Sequence, residues 1–344
     1  LFMIKQNSYH KKVGTGIYCF KKGGQVMKKE TVEKILTTNL RGWFGSLKKE
    51  QLDLLQEIRL RVNKPLIIRI DNKEYFLNQD KLVTSSKRAY IITEKDLKDT
   101  MEFISNYSLY AFEDELRNGY ITVDGGHRVG LAGKVVVENN RVKTIKNITC
   151  INIRISHEIK GCANKVIPYI FQENRIYHTL IISPPRCGKT TLLRDIVRQL
   201  SDGVRNNTGI TIGVVDERSE IGGCYRGIPQ NDVGIRTDIL DGCPKTEGML
   251  MLIRSMSPEV IAVDEIGSSE DIEAIDFVIN AGCKMICTVH GSSLVEVKNK
   301  PILEKLIDKN IIERFIVLES KNGVGDVKKI YDKQGKMISI VVDN

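Results

Sequence analysis

Ser183-Pro184-Pro185-Arg186-Cys187-Gly188-Lys189-Thr190-Thr191 is a run suited to holding phosphate. It follows the apolar stretch Thr179 to Ile182 and opens a segment in which Leu192, Leu193, Ile196, Val197 and Leu200 recur at helical spacing. Strand, loop and helix thus come in the order a P-loop requires. Backbone N–H groups and the helix N-terminus attract phosphate oxygens, Lys189 reaches the β and γ groups, and Thr190 offers its hydroxyl to Mg²⁺. The first position of the motif, usually glycine, is Ser183, which a small residue can fill if its backbone is not left-handed. The implied ligands are ATP and Mg²⁺.

Three further strand ends carry polar groups. Val260-Ile-Ala-Val-Asp264-Glu265 is an apolar run closing on two acids. Beside a P-loop, Asp264 can hold Mg²⁺ through water, and Glu265, turned differently, can orient or deprotonate the attacking water. A solvated acidic turn would explain the acids alone but not their company. Thr211 to Val215 runs into Asp216-Glu217-Arg218-Ser219-Glu220, and its place in the chain implies an extra strand between the P-loop strand and the Asp264 strand. Asp216 or Glu217 would then face the γ-phosphate, although charges after a strand are often plain surface. Met285 to Val289 ends at His290-Gly291, where a histidine at the carboxyl end of a strand can sense the γ-phosphate.

The elements that must position these groups fall into two textures. Residues 162–344 read as α/β: near-continuous apolar strands at Thr179 to Ile182, Ile210 to Val215, Val260 to Val263 and Met285 to Val289, as in a parallel sheet covered on both faces. Residues 27–161 read as a smaller α+β domain. Leu47, Leu52, Leu54, Leu55 and Ile58 are spaced like a helix face, and Pro65 to Ile70 reads as a strand before the turn Asp71-Asn72-Lys73. Thr93-Glu94-Lys95-Asp96 resembles a capping box, and Gly125-Gly126 joins two segments of a hairpin.

Composition excludes several classes. No apolar run approaches the roughly 18 to 20 residues of a membrane span. Eight cysteines without a C-x-x-C pair signal neither zinc nor a redox motif and read as the reduced thiols of a cytosolic chain. The net charge of +9 suggests nucleic acid, but five of those charges, Lys5, Lys11, Lys12, Lys21 and Lys22, lie in acid-free residues 1–26. Without a stripe of aromatic and basic residues either, no nucleic-acid partner is expected. Residues 1–26 read as a non-native or disordered upstream segment. Lys22-Gly23-Gly24-Gln25-Val26 back-translates to a purine-rich stretch like a ribosome-binding site ahead of Met27, whereas a basic targeting arm fits no known template.

Four segments carry a family resemblance: Gly119-Tyr-Ile-Thr-Val-Asp-Gly-Gly-His-Arg-Val-Gly, Val215-Asp-Glu-Arg-Ser-Glu-Ile, Gly234-Ile-Arg-Thr-Asp-Ile-Leu-Asp and Arg254-Ser-Met-Ser-Pro-Glu-Val-Ile-Ala-Val-Asp-Glu-Ile-Gly. Over almost everything after Met27 the chain resembles the sporulation stage III AA family of endospore-forming bacteria, relatives of the type II and type IV secretion and pilus ATPases. The resemblance implies a C-terminal RecA-like P-loop ATPase domain behind an α+β domain that rocks against it. It also implies a homohexamer, peripheral at the inner face of the membrane on the mother-cell side, energising membrane-embedded sporulation channel proteins between mother cell and forespore. The acid-bearing box is matched by Asp216 and Glu217, the Walker B glutamate by Glu265 and the histidine box by His290. Interface arginines reaching phosphate would be Arg128 and Arg154 from the first domain, and Arg236 or Arg254 from the second; each could equally pair with an acid. Two other readings are a nucleic-acid-dependent ATPase, which DNA or RNA would stimulate, and a nucleotide-gated scaffold, which has no need of Glu265.

Overall fold

The computed structural model describes residues 29–338 apart from 46, 80, 107–111, 205–207 and 320–324, so the segment 1–26 lies outside the described residues. The first half opens with three helices, α1 (Lys29–Ile35), α2 (Thr38–Gly45) and α3 (Lys49–Asp53). Four strands follow, β1 (Leu55–Arg61), β2 (Ile67–Ile70), β3 (Lys73–Asn78) and β4 (Lys81–Val83). Next come α4 (Glu94–Ile104), α5 (Glu113–Asn118), β5 (Tyr120–Val123), β6 (His127–Glu138) and β7 (Arg141–Arg154). The seven strands form one antiparallel sheet in the order β4-β3-β2-β1-β7-β6-β5. Leu36, between α1 and α2, and Leu40 and Phe44 of α2 pack with Leu55, Ile58, Leu60, Ile68 and Ile153 from the sheet in one core. The capping box at Thr93 is present: Asp96 N–H donates to the Thr93 hydroxyl at 3.1 Å, and Thr93 N–H donates to the Asp96 carboxylate at 2.9 Å.

The helix expected over residues 47–58 is only α3. Leu54 ends it, and Leu55 onward becomes β1, flanked by β2 and β7. Five apolar residues in that window satisfy either period, and the pairing on both edges with distant strands decides for the extended form.

The second half begins with a helical turn, α6 (Ile167–Ile170), and a ribbon of β8 (Phe171–Gln172) and β9 (Arg175–Ile176). The main sheet is built from β10 (Thr179–Ser183), β11 (Ile212–Asp216), β12 (Thr237–Asp241), β13 (Val260–Val263), β14 (Lys284–His290), β15 (Arg314–Glu319), β16 (Asp326–Asp332) and β17 (Met337–Ile338). Its order is β12-β11-β13-β14-β10-β15-β16-β17, parallel as far as β15 and antiparallel beyond. Helices cover both faces. Leu180 and Ile182 face a core shared with α8 (Lys245–Met256), α9 (Ser269–Asn280), α10 (Leu294–Lys298) and α11 (Pro301–Asp308). Ile181, between them, faces the core of α7 (Lys189–Asp202). The strands therefore read as unbroken apolar runs because alternate residues enter two different cores.

The strand between the P-loop strand and the Asp264 strand is not β11, as the order of motifs along the chain suggests, but β14. β11 lies on the far side of β13. Crossover helices let a parallel strand enter the sheet away from its chain neighbours, so motif order does not dictate strand order.

His127 opens β6 in a buried pocket, with Nε2 2.9 Å from the Thr31 hydroxyl and Nδ1 accepting the Ser156 N–H at 3.1 Å. Burial, with help from His157 and against Asp124, pushes its pKa down to about 4. The unfolded chain takes up this proton near pH 6.5 and the folded chain only near pH 4. The stability from neutral His127 is thus intact above pH 6.5 and is lost as pH falls toward 4, by roughly 3 kcal/mol in total. Urea midpoints measured across this window for wild type and His127→Gln should converge on acidification, as the wild type alone loses this contribution.

Candidate nucleotide site

The carboxyl ends of three adjacent parallel strands, β10, β14 and β13, build the site. Ser183 ends β10 fully buried, and its carbonyl accepts the Gly291 N–H at 3.1 Å, tying the P-loop to the end of β14. Pro184, Pro185, Arg186 and Cys187 form the loop, with Cys187 buried; Arg186 and Gly188 take φ of 63° and 86°. Ser183 is not among the left-handed residues, which is the condition its size required. α7 then starts at Lys189, with Gly188 as its N-cap, so the first amide groups of the helix border the loop.

Lys189, Thr190, Asp264 and Glu265 converge here across more than seventy residues of chain. Thr190 Oγ1 donates to Asp264 Oδ2 at 2.5 Å, Lys189 Nζ pairs with Glu265 Oε1, and Asp264 Oδ1 lies 3.8 Å from Lys189 Nζ. His290 Nε2 is 3.0 Å from the same Glu265 oxygen. Arg218 Nη1 donates to the other oxygen at 3.0 Å. Burial works to raise the Glu265 carboxyl, but the Lys189 hydrogen bond and charge, with Arg218 and His290, outweigh it and hold the group below the usual carboxylate range. Glu265 is therefore ionised at neutral pH, as a base must be. It also borders a cleft of about 430 Å³ toward the N-terminal ends of α8 and α9, which gives water a route to it.

The donor set suits Mg²⁺ brought in with a triphosphate. Among the described residues no three His, Cys, Asp or Glu side chains form a cage. One hydroxyl and one carboxylate side by side, Thr190 and Asp264, match an ion that keeps water and phosphate oxygens as its other ligands.

The remaining candidates sit elsewhere. Asp216 is buried, and both oxygens of its carboxylate are taken by its own loop, accepting the N–H groups of Glu220, Ile221 and Gly222 at 2.8, 2.9 and 2.8 Å. Burial pushes its pKa up to about 6 against those bonds. Glu217 is closer, lining the cleft beside Glu265 and pairing with Lys245 at 2.9 Å. Thr191 lies in the first turn of α7, its carbonyl near the Cys162 thiol. Arg128 pairs with Glu220 at 2.8 Å, donates to the Arg218 carbonyl and lies 3.9 Å from the centre of the Tyr120 ring. Arg154 is its exposed cross-strand neighbour. Arg236 precedes β12 and donates to the Ser201 carbonyl at 3.0 Å, and Arg254 is exposed in the last turn of α8. Both belong to the amino ends of the strands, so within one chain neither reaches the phosphate loop.

Three participants were not singled out from sequence. Arg218 was visible only as part of a charged run. Thr288, two residues before His290, donates to Asp264 Oδ1. Arg194 of α7 is buried and donates to the carbonyls of Ile221 and Glu220 at 2.6 and 2.5 Å, drawing that loop onto the P-loop helix. An arginine set among Leu192, Leu193, Ile196 and Val197 of the helical pattern was the one signal for it.

The sequence model of the family described as sporulation stage III, protein AA, matches residues 26–338. The chain belongs to that family. Stage III sporulation protein AA of Bacillus subtilis (strain 168) is 42% identical over 309 residues, 90% of this chain and 96% of the relative. Among solved structures, the Legionella pneumophila ATPase DotB superposes with a TM-score of 0.50 at 16% identity, covering 76% of this chain and 72% of DotB. The pilus retraction motor PilT, solved with ADP, gives 0.50 at 15% identity, covering 78% and 76%. These likenesses show the fold: the α/β, RecA-like sheet of the secretion and pilus ATPases with a smaller domain before it.

Asp216 and Glu217 are separable by stability. Asp216→Asn leaves buried N–H groups short of an acceptor and should lower the unfolding free energy by about 1–3 kcal/mol. Glu217→Gln, at a half-exposed ion pair, should change it by less than about 0.5 kcal/mol. Chemical denaturation of the two variants beside wild type checks both.

Proposed function

We propose that the chain is an Mg-dependent ATPase, the motor subunit of a secretion-type ring that energises a membrane-embedded channel of sporulation between mother cell and forespore. The observation that carries this reading is the convergence of Lys189, Thr190, Asp264 and Glu265 at the carboxyl ends of parallel strands of one sheet. Lys189 would exchange Glu265 for the β and γ phosphates of ATP, and Thr190 with Asp264 would hold Mg²⁺. Bound Mg²⁺ supplies neutralising charge across the phosphates. Glu265, released by Lys189, would orient the water and take its proton as the water oxygen bonds to the γ-phosphorus and the bond to the β–γ bridging oxygen breaks, releasing ADP and phosphate. Arg218 and His290, already on the Glu265 carboxylate, keep it aimed at that water.

The channel role and its place in the cell draw support from family membership, and a homohexamer from the resemblance to secretion and pilus ATPases. Among the described residues no helix is long and apolar enough to cross a membrane; attachment at the membrane through partner proteins is part of the same proposal and draws on the family's channel role. Action of the first domain on the site draws support from Arg128 and Tyr120, which both hold the Arg218 carbonyl.

In steady-state assays Glu265→Gln should lower turnover by about 10²- to 10⁴-fold while ATP affinity persists. Wild-type rate per subunit should climb with protein concentration as light scattering reports assembly. Full activity from a monomer contradicts the ring, and unchanged hydrolysis by Glu265→Gln contradicts the assignment of the base.

A further inference from the structure

Thr288 is fully buried in β14, the strand separating the P-loop strand from the Asp264 strand. Its hydroxyl spends its one hydrogen on Asp264 Oδ1 and accepts the Glu265 N–H at 2.9 Å. One residue later along the acid turn, Ile266 N–H donates to the Thr288 carbonyl at 2.9 Å. Thr288 thus grips both sides of Glu265, whose φ is 55°. A non-glycine residue in this left-handed region is held there by its surroundings, and such residues gather at functional sites.

The consequences for the two acids differ. With Oδ1 bound to Thr288, the Asp264 carboxylate turns Oδ2 toward Thr190 Oγ1, 2.5 Å away, and cannot rotate without giving up a bond. The left-handed turn at Glu265 swings its side chain out of the strand direction and across to Lys189, Arg218 and His290. A single side chain therefore sets the aim of the acid beside Thr190 and of the acid proposed to activate water.

We propose that Thr288 is the positioning residue of the hydrolytic centre, fixing Asp264 toward the metal and Glu265 toward the attacking water. The proposal rests on the ATPase reading above. A merely structural threonine would contribute to stability alone, whereas a positioning one acts on the chemical step, because a displacement of about 1 Å in a reacting group can cost on the order of 100-fold.

The test uses the full chain with Mg-ATP and compares wild type, Thr288→Val, Thr288→Ser and Thr288→Cys. Turnover, affinity for a fluorescent ATP analogue, the Mg²⁺ dependence of turnover and the melting temperature are measured for each. Thr288→Val keeps the shape and removes the hydroxyl; its kcat should fall by about 100-fold with nucleotide affinity within about threefold of wild type. Its half-saturating Mg²⁺ concentration should rise, and Thr288→Ser should recover most of the rate. Turnover by Thr288→Val within about twofold of wild type, or a serine variant no better than valine, overturns the proposal. Should Thr288→Val fail to fold, Thr288→Cys decides: loss of rate by about tenfold or more at unchanged affinity supports the role, and wild-type turnover overturns it. A wild-type chain that neither binds nor hydrolyses ATP removes the ATPase reading itself, an outcome distinct from an active wild type with an equally active valine variant.

Discussion

The site depends on the lateral order of three parallel strands. With β14 between β10 and β13, in the pairing Ser183 to His290 and Val263 to Cys287, the ends of the strands stand side by side at fixed spacing. Lys189 and Thr190 emerge from one end, Asp264 and Glu265 from another, and Thr288 and His290 from the strand between. Backbone hydrogen bonds set the spacing, and an apolar core covers the sheet on either face. Precision at the site is thus inherited from the most buried part of the molecule, where displacement is most costly.

Around this centre opposite charges are gathered on one carboxylate. Lys189, Arg218 and His290 surround Glu265, and all three are groups that also bind phosphate. The loop that carries Arg218 is braced twice over: Asp216 gathers its N–H groups and Arg194 its carbonyls. Its outer surface is held by Arg128 and Tyr120 of the first half, and nearby Gly125 N–H donates to Gln230 at 3.0 Å and Asp232 N–H to Glu158 at 2.8 Å. The same loop thus touches both Glu265, through Arg218, and the first half of the chain, through Arg128 and Tyr120.

Much of the second half was legible because its signals are local. The P-loop is contiguous, and apolar runs ending in Asp264-Glu265 and His290 mark strand ends whatever the sheet order. Arrangements fixed by contacts distant in sequence were not legible. Leu47 to Ile58 has no local preference strong enough to withstand pairing with β2 and β7. The fate of Asp216 turns on a loop that doubles back through a left-handed Ser219 to present three N–H groups. Arg128 lies 92 residues from Glu220, and nothing around either residue announces the pair. Thr288 reads as an ordinary strand threonine until β13 is laid beside it.

The proposed chemistry requires Lys189, Thr190, Asp264 and Glu265 to close on one triphosphate and its metal. A crystal structure of the full chain with Mg²⁺ and a non-hydrolysable ATP analogue examines that claim most directly. Lys189 should have moved from Glu265 to the β and γ phosphates, with Thr190 and Asp264 beside the metal and Glu265 facing the γ-phosphorus. A nucleotide bound away from the loop 183–190, or Lys189 still paired to Glu265 with the analogue present, would contradict it.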